Sequence, residues 1–327
     1  MKIKGLLCLI TVVTVSAGIL TGCGGKKTSN GGNGQKPADQ TTDIIESKFA
    51  EVKPTIDGLD NDELWQSIEP KSIVIDTQNS FEMKTSYDSN NIYFLFKWIS
   101  PDKAPPSIGK WFKKDGKWTW EFITDGFSIL WDTSKMPDFA KQACTPLCHQ
   151  ESEDLNHRFM TTTGTDYIQE IWEWNPGVIN QKNIMGAYLI GTLPDGVTYE
   201  DENFDNKVSW EHLPGEYGYH RNRATDAIAP AEEIKGDTAP FYILSDKAPS
   251  GDAGLVVAKG SYEEPFYILE IARPRTPANI DLTKFSVSDN GWLDILFGCS
   301  IHYKSERDLH KSMPVAATLR MVGKNAK

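Results

Sequence analysis

Short runs of β-branched and aromatic residues, separated by turn residues, limit the folds open to this sequence more than any other feature. Residues 82–87 and 92–98 are two such runs, and the turn sequence at 88–91 predicts a β-hairpin between them. Further runs lie at residues 71–75, 127–131, 185–189, 241–244, 266–272 and 293–300. Because no segment of helical length with 3.6-residue periodicity separates them, we expect an all-β fold, an antiparallel β-sandwich with long loops. Residues 200–240 are expected to be mostly loop.

Length and charge narrow the class of protein. The 327 residues, 39% of them hydrophobic, suffice for one large domain or two ordinary ones and are too apolar for disorder throughout. The formal net charge of −11, without a long basic run, argues against a nucleic-acid partner. Since neither an internal repeat nor a second linker is evident, we expect one large domain.

The N-terminus has the layout of a bacterial export signal. Lys2 and Lys4 precede an apolar stretch that is short for a membrane span and ends in Leu-Thr-Gly-Cys at residues 20–23. This ending resembles the lipobox of bacterial lipoproteins, in which the chain is cleaved before the cysteine and the cysteine is acylated. We therefore predict a signal peptide at residues 1–22 and an exported chain, facing the periplasm or cell exterior, anchored to the membrane through lipid on Cys23. The alternative is an uncleaved anchor or a secretory signal cut elsewhere.

A polar segment follows the predicted lipidation site. From Cys23 onward no aromatic residue occurs before Phe49, and Gly, Ser, Asn and Lys are frequent. Such a composition buries too little apolar surface to offset its ordering entropy, so residues 23–48 are predicted to be a flexible tether. The folded domain is predicted to comprise residues 49–327. Without Lys2 and Lys4 the mature chain has 32 basic and 45 acidic side chains, a charge of −13.

Cys144, Cys148 and His149 form the motif that carries chemistry. Two nearby thiols followed directly by an imidazole are what covalent haem attachment requires: each thiol adds to one haem vinyl group, and the histidine becomes an axial iron ligand. The common spacer between the cysteines is two residues; here it is three, which a bulge at Pro146 would accommodate. The motif predicts one haem c, and the export signal agrees, because c-type haem is attached outside the bacterial cytoplasm.

Two other interpretations of the motif remain open. A disulfide between Cys144 and Cys148 would be stable in an oxidising compartment. A structural zinc site could recruit His149 and His157, although no second pair of cysteines is present to complete it. The remaining thiol, Cys299, is expected to be buried in a strand and inert.

Several segments along the chain carry a family resemblance. They are residues 56–60 with Leu64-Trp65, residues 84–88, 92–98 and 126–131, Trp172-Glu173-Trp174, and residues 266–273 and 310–312. Together they resemble the ethylbenzene dehydrogenase-type haem-binding domain, which is related in fold to DOMON and family 9 carbohydrate-binding modules. The resemblance extends over residues 49–322. It implies a sandwich that holds one haem in a pocket at its end and transfers electrons.

The resemblance also implies iron ligands. In molybdenum enzymes of the dimethyl sulfoxide reductase group such a domain is the electron-transfer subunit, and a Met and a Lys hold its haem b. Met160 and Lys311 fall near those positions. The cysteine motif departs from this pattern and resembles a c-type branch of the domain, which often has a histidine where this chain has Glu173. The second axial ligand is therefore open among Met160, His310 and Lys311, with His157, His220 and His302 as weaker candidates.

Tryptophans are expected to fill the core. Trp65, Trp98 and Trp131 sit at strand-like positions, and Trp172 and Trp174 follow the cysteine motif closely. We predict that the last two also line the haem pocket.

These features predict a membrane-tethered monohaem c-type cytochrome that exchanges single electrons with an extracytoplasmic redox protein, for which a molybdenum oxidoreductase is a candidate. No substrate chemistry of its own is expected, so the chain is predicted not to be an enzyme. An acidic surface would suit a basic partner. The alternative is a haem-free lipoprotein that binds a carbohydrate or other ligand on the same sandwich.

Overall fold

The computed structural model describes residues 43–75, 79–100, 109–121, 125–137, 139–142, 167–191, 210–222, 229–302 and 315–326. Residues 40–327 form one compact unit. The predicted signal peptide and Cys23 lie outside the described residues. No helix in these ranges has the length and apolar character needed to cross a membrane.

The described chain is built mainly of strands, and its helices are single turns. The strands are β1 (Asp43–Phe49), β2 (Lys71–Val74), β3 (Ser80–Tyr87), β4 (Asn91–Ile99), β5 (Lys110–Lys114), β6 (Lys117–Glu121), β7 (Gly126–Trp131), β8 (Gln169–Trp174), β9 (Gly186–Ile190), β10 (Trp210–His212), β11 (Gly215–Glu216), β12 (Tyr219–Arg221), β13 (Thr238–Pro240), β14 (Tyr242–Leu244), β15 (Ser250–Gly251), β16 (Val257–Glu263), β17 (Phe266–Pro274), β18 (Trp292–His302) and β19 (Val315–Val322). The helices are α1 (Glu63–Gln66), α2 (Phe139–Gln142) and α3 (Val178–Gln181).

Twelve strands form one large sheet. Its order is β10-β9-β8-β7-β18-β19-β1-β3-β4-β17-β16, and β2 pairs with β3 beside this path. Smaller sheets join β5 to β6 and β13, β12 to β14, and β11 to β15. The sheet is antiparallel except at β1, which is parallel to both β19 and β3. Parallel neighbours need a long crossover rather than a hairpin, and the chain between β1 and β3 supplies one that includes α1 and β2.

The large sheet curls so that its two halves pack face to face. Phe127 of β7 lies 4.6 Å from Phe96 and 5.1 Å from Trp98, both on β4, between ring centroids. Phe94, also on β4, lies 5.6 Å from Trp131 of β7. The inner faces of β3, β4 and β17 thus cover those of β7, β8 and β18, which confirms the predicted all-β sandwich.

Two boundaries differ from the sequence-based prediction. Residues 43–48, assigned to the tether, lie in β1, because Ile45 and Ser47 are buried between β19 and β3. Residues 200–240, assigned mostly to loop, contain β10, β11, β12 and β13. These strands have two or three residues each, too few for a periodic pattern to show.

The two ends of the sandwich are distinguished by strand direction. β1 and β3 are parallel and start at the same end, where β4 finishes at Ile99; we call this the Asp43 end. The other end, where β4 begins at Asn91, is the Gln169 end. β7 finishes and β8 begins there, because Arg273, beside the start of β4, contacts Glu170 near the start of β8.

Candidate functional site

The segment that bears the cysteine motif is attached at the Gln169 end. Cys144, Cys148, His149 and Met160 lie outside the described residues, in the stretch 143–166. The described chain stops two residues before Cys144, at the end of α2, which packs on β18 and β19. It resumes at Tyr167, seven residues after Met160 and just before β8. The structure therefore describes the chain on both sides of this segment.

Side-chain hydrogen bonds join these two attachments. The Ser134 hydroxyl donates to the Ile168 carbonyl at 2.9 Å and accepts from the Ile168 N–H at 3.0 Å. Gln169 accepts the Thr133 N–H at 2.9 Å through Oε1, and its Nε2 donates to Asp132 Oδ1 at 3.1 Å. Burial raises the pKa of Asp132, and its hydrogen bonds oppose that change. The chain leaving β7 and the chain entering β8 are thus held together at the Gln169 end.

A buried ion pair links the two halves of the sheet next to these attachments. Arg273 of β17 lies 3.1 Å from Glu170 of β8, and both side chains are 0% exposed. Glu170 also accepts the Trp172 indole N–H at 2.6 Å and the Thr283 N–H at 2.8 Å. Burial lowers the pKa of Arg273 and the charge of Glu170 opposes it; a guanidinium stays charged in proteins.

Trp172 and Trp174 point into the core. Trp172 lies 4.9 Å from Trp131 between ring centroids, and the Arg273 guanidinium sits 5.1 Å from its ring centre. Trp174 lies 6.0 Å from Trp98 and donates its N–H to Asn180. The predicted core role of the five tryptophans is confirmed by their burial. A role of Trp172 and Trp174 as haem-pocket walls stays a prediction.

Comparison with known proteins identifies the family. Residues 62–311 match the family described as Ethylbenzene dehydrogenase. The chain belongs to the ethylbenzene dehydrogenase family. No curated protein matches the sequence.

Solved structures similar to this member of the ethylbenzene dehydrogenase family share little sequence with it. A carbohydrate binding module family 9 from Caldicellulosiruptor kristjanssonii in complex with cellotriose is 11% identical, with a TM-score of 0.38 over 86% of this chain and 94% of that one. A putative carbohydrate-binding protein from Bacteroides uniformis is 9% identical, with a TM-score of 0.35 over 86% of this chain and 100% of that one.

Two buried N–H donors at the Gln169 end have no hydrogen-bond partner in the described part of the chain. They are the Trp131 indole N–H and Nε of Arg273, and both side chains flank the ring of Trp172. Buried donors are normally paired, and an unpaired one costs about 1–3 kcal/mol. These two donors are therefore an unexplained polar feature of the core beside Trp172 in this member of the ethylbenzene dehydrogenase family.

Of the candidate histidines, the structure describes His220 and His302. His220 pairs on the surface with Glu232 at 3.1 Å. His302, the last residue of β18, lies 3.1 Å from the Ser128 hydroxyl at the Asp43 end. His157, His310 and Lys311 are outside the described residues, among which no group of three metal-ligating side chains occurs. Cys299 is buried in β18, as predicted, and burial raises its thiol pKa well above the ordinary value; its inertness stays a prediction.

The sequence motif at residues 56–65 anchors a covering segment. Glu270, on the outward face of β17, accepts N–H groups of Asp57 at 2.9 Å, Gly58 at 2.7 Å and the Trp65 indole at 2.6 Å. Gly58 has φ of +87°, and a Cβ there would come within 3.0 Å of the Gly260 backbone. The motif thus closes the outer face of the sheet, a structural role that sequence reasoning missed.

Replacing Glu270 with leucine should lower the free energy of unfolding by about 2–4 kcal/mol, because the buried N–H groups of Gly58 and Trp65 and the part-buried N–H of Asp57 lose their acceptor. Burial raises the pKa of Glu270 to about 7 from 4.5. A carboxyl group whose pKa is raised in the folded state stabilises the fold at low pH. In the parent protein this stabilisation is lost as the pH rises from 4.5 to about 7, and the leucine variant should not show this pH dependence. Urea unfolding at several pH values measures both effects. Glu82→Leu, an exposed change on β3, is the control; equal losses in the two variants would contradict the role of Glu270.

Proposed function

We propose that the chain is a membrane-tethered monohaem c-type cytochrome that passes single electrons to or from an extracytoplasmic redox protein. Cys144, Cys148 and His149 carry this proposal: they lie in one segment, and the strands that flank it are joined by buried and part-buried hydrogen bonds at the Gln169 end. Membership in the ethylbenzene dehydrogenase family supports it.

The chain's own residues have distinct tasks in this proposal. Cys144 and Cys148 would hold the haem through thioether bonds, and His149 would bind one face of its iron. When bound, the haem supplies reversible one-electron chemistry, whose potential depends on the axial ligands, burial and hydrogen bonding. The hydrogen bonds of Ser134 and Gln169 hold together the chain that leaves β7 and the chain that enters β8. Trp131 and Arg273 offer unpaired donors to a carboxylate.

Strand geometry favours Met160 over His310 and Lys311 as the second axial ligand. His149 and Met160 share the segment that is attached at the Gln169 end. His310 and Lys311 follow β18, whose last residue pairs with Gly126 at the Asp43 end. Met160 is therefore the first candidate for the second ligand, and His310 and Lys311 are the alternatives.

Replacing Met160 with alanine should abolish the weak near-infrared sulfur-to-iron band of the oxidised protein and lower the midpoint potential, because thioether ligation raises it. His310→Ala is the matched control and should leave the band in place. If the parent protein lacks the band, Met160 is not the ligand and His310 or Lys311 replaces it.

Electron transfer, rather than substrate turnover, is the proposed activity. A molybdenum oxidoreductase is the partner class that the family relationship favours. The charge of −13 on the mature chain would steer a basic partner and make the encounter sensitive to salt.

A haem-free ligand-binding lipoprotein is the second candidate. Carbohydrate sites commonly use exposed aromatic rings, and Trp292 at the Gln169 end is 60% exposed, the one exposed tryptophan among the described side chains. The visible spectrum of protein produced with and without cytochrome c maturation separates the two candidates. The cytochrome requires a Soret band only with maturation. A colourless protein that binds cellotriose would support the second candidate instead.

A further inference from the structure

The β5–β6 hairpin carries an unusual local charge for this acidic chain. Residues 110–118 contain Lys110, Lys113, Lys114 and Lys117 against a single acidic residue, Asp115, and all four lysines are exposed. The turn at Asp115 and Gly116 has φ of 51° and 80°, the conformation of a tight hairpin. With Glu121 at its base included, the whole hairpin has a local charge of +2 in a chain whose total charge is −11.

The base of the hairpin is fixed to the folded unit. Trp111 is buried, pairs with Ala239 of β13 and lies 5.8 Å from Phe241 between ring centroids. Near the turn, Lys113 Nζ sits 5.9 Å from the centre of the half-buried Trp118 ring. Basic side chains next to an aromatic ring are typical of surfaces that bind the membrane interface.

The hairpin belongs to the Asp43 end. The chain leaves the sandwich there at Ile99, the last residue of β4, and returns at Gly126, the first residue of β7. These two strand ends lie together, because Trp98 and Phe127 stack at 5.1 Å.

Three exposed apolar residues lie in one row of the sheet at the same end, with the exposed Ser80 between two of them and the exposed Glu263 paired with the third. Ile99 of β4 pairs with Phe266 of β17. On its other side Ile99 lies opposite Ser80 of β3, and Ser80 pairs with Val74 of β2. Val74, Ile99 and Phe266 are 65%, 50% and 37% exposed. Their neighbours Ile73, Trp98 and Tyr267 are buried, so the row faces outward by strand alternation. Four strands make it about 14 Å wide.

The predicted tether also meets the fold at this end. Residues 23–42 end beside Asp43, which pairs with Lys71 of β2 at 3.3 Å, three residues before Val74. If the prediction of a tether holds, twenty residues of random coil span about 25 Å. A lipid on Cys23 would therefore keep the Asp43 end close to the bilayer. The effective concentration of this end at the membrane would then be high, so that weak contacts with the lipid would add measurably to binding.

We propose that the Asp43 end docks on a bilayer containing anionic phospholipid, through the lysines of the β5–β6 hairpin and the row Val74, Ile99 and Phe266. This inference rests on the lipid anchor of the proposed function. It turns the Gln169 end, with the attachments of the cysteine segment, away from the membrane and toward a redox partner.

Lysine labelling on vesicles tests the docking. The full lipidated chain is reconstituted on phosphatidylcholine vesicles with and without phosphatidylglycerol and acetylated briefly, and each lysine is quantified by mass spectrometry. Acetylation of Lys113, Lys114 and Lys117 should slow by about fivefold on the anionic vesicles. Lys53 and Lys324 at the Gln169 end, both exposed, should not change. Equal labelling of the hairpin lysines on both vesicles overturns the proposal.

Full chains carrying Cys23→Ala separate docking from anchoring. With the three lysines Lys113, Lys114 and Lys117 changed to Glu, flotation with anionic vesicles should weaken at least about 100-fold. The same three changes at Lys53, Lys284 and Lys324 are the matched control and should have little effect. Equal loss in both triple variants overturns the proposal. The intact mass of the parent reports acylation of Cys23 independently, so an absent lipid refutes the anchor while the flotation result still decides the docking.

Discussion

Replacing Arg273 with methionine is expected to lower the free energy of unfolding by about 3–5 kcal/mol, because Glu170 is left charged and buried without its partner. Both side chains are fully buried, and the pair joins the two halves of the sheet. Methionine fills a similar volume, so the loss reports the missing charge more than a cavity. Urea unfolding followed by far-ultraviolet circular dichroism measures it.

Two further variants isolate this effect. Arg273→Met combined with Glu170→Gln removes the unpaired charge while keeping an acceptor for Trp172 and Thr283, so it should recover more than half of the lost stability. Arg320→Met breaks the ion pair with Asp294. The N–O distance in this pair is 2.7 Å, shorter than in the buried pair, but the pair lies on the surface, so its loss should change stability little. If the surface variant loses as much as the buried one, the ion pair with Glu170 is not what holds the halves together.

Replacing both Cys144 and Cys148 with alanine should remove all haem that survives acid-acetone extraction. Each thioether needs one of these thiols, and the single variants should retain haem through the other. Cys299→Ala is the control with one thiol removed from the buried core, and it should keep the covalent haem. Haem retained by the double variant after extraction would mean that it is held elsewhere in the chain.

The local sequence was sufficient to predict the fold where a turn and the two strands that it joins are adjacent in the chain. The hairpin of β3 and β4 was predicted from its aromatic runs, and the structure shows why the turn forms: Asp88 Oδ1 accepts the N–H groups of Asn90 and Asn91 at 2.7 Å. Runs along residues 127–131, 266–272 and 293–300 likewise appear as β7, β17 and β18. In each, the apolar pattern and the pairing partners agree.

Contacts between distant parts of the chain were not predictable. The parallel pairing of β1 with β19 joins the two ends of the domain, and no turn sequence specifies it. Glu170 and Arg273 meet only because two sheet halves fold face to face. At the candidate site, the motif of Cys144, Cys148 and His149 is visible in the sequence, whereas the hydrogen bonds of Ser134 and Gln169 depend on tertiary packing. The β5–β6 hairpin was missed although Asp115-Gly116 is a strong turn signal.

The most direct test of covalent haem attachment is the mass of one tryptic peptide. Cleavage after Lys141 and Arg158 releases residues 142–158, which contain Cys144, Cys148 and His149. In protein matured in the presence of the cytochrome c assembly system, this peptide should carry the added mass of one haem and absorb visible light. An unmodified peptide, or one lighter by the two hydrogens of a Cys144–Cys148 disulfide, would contradict the cytochrome proposal.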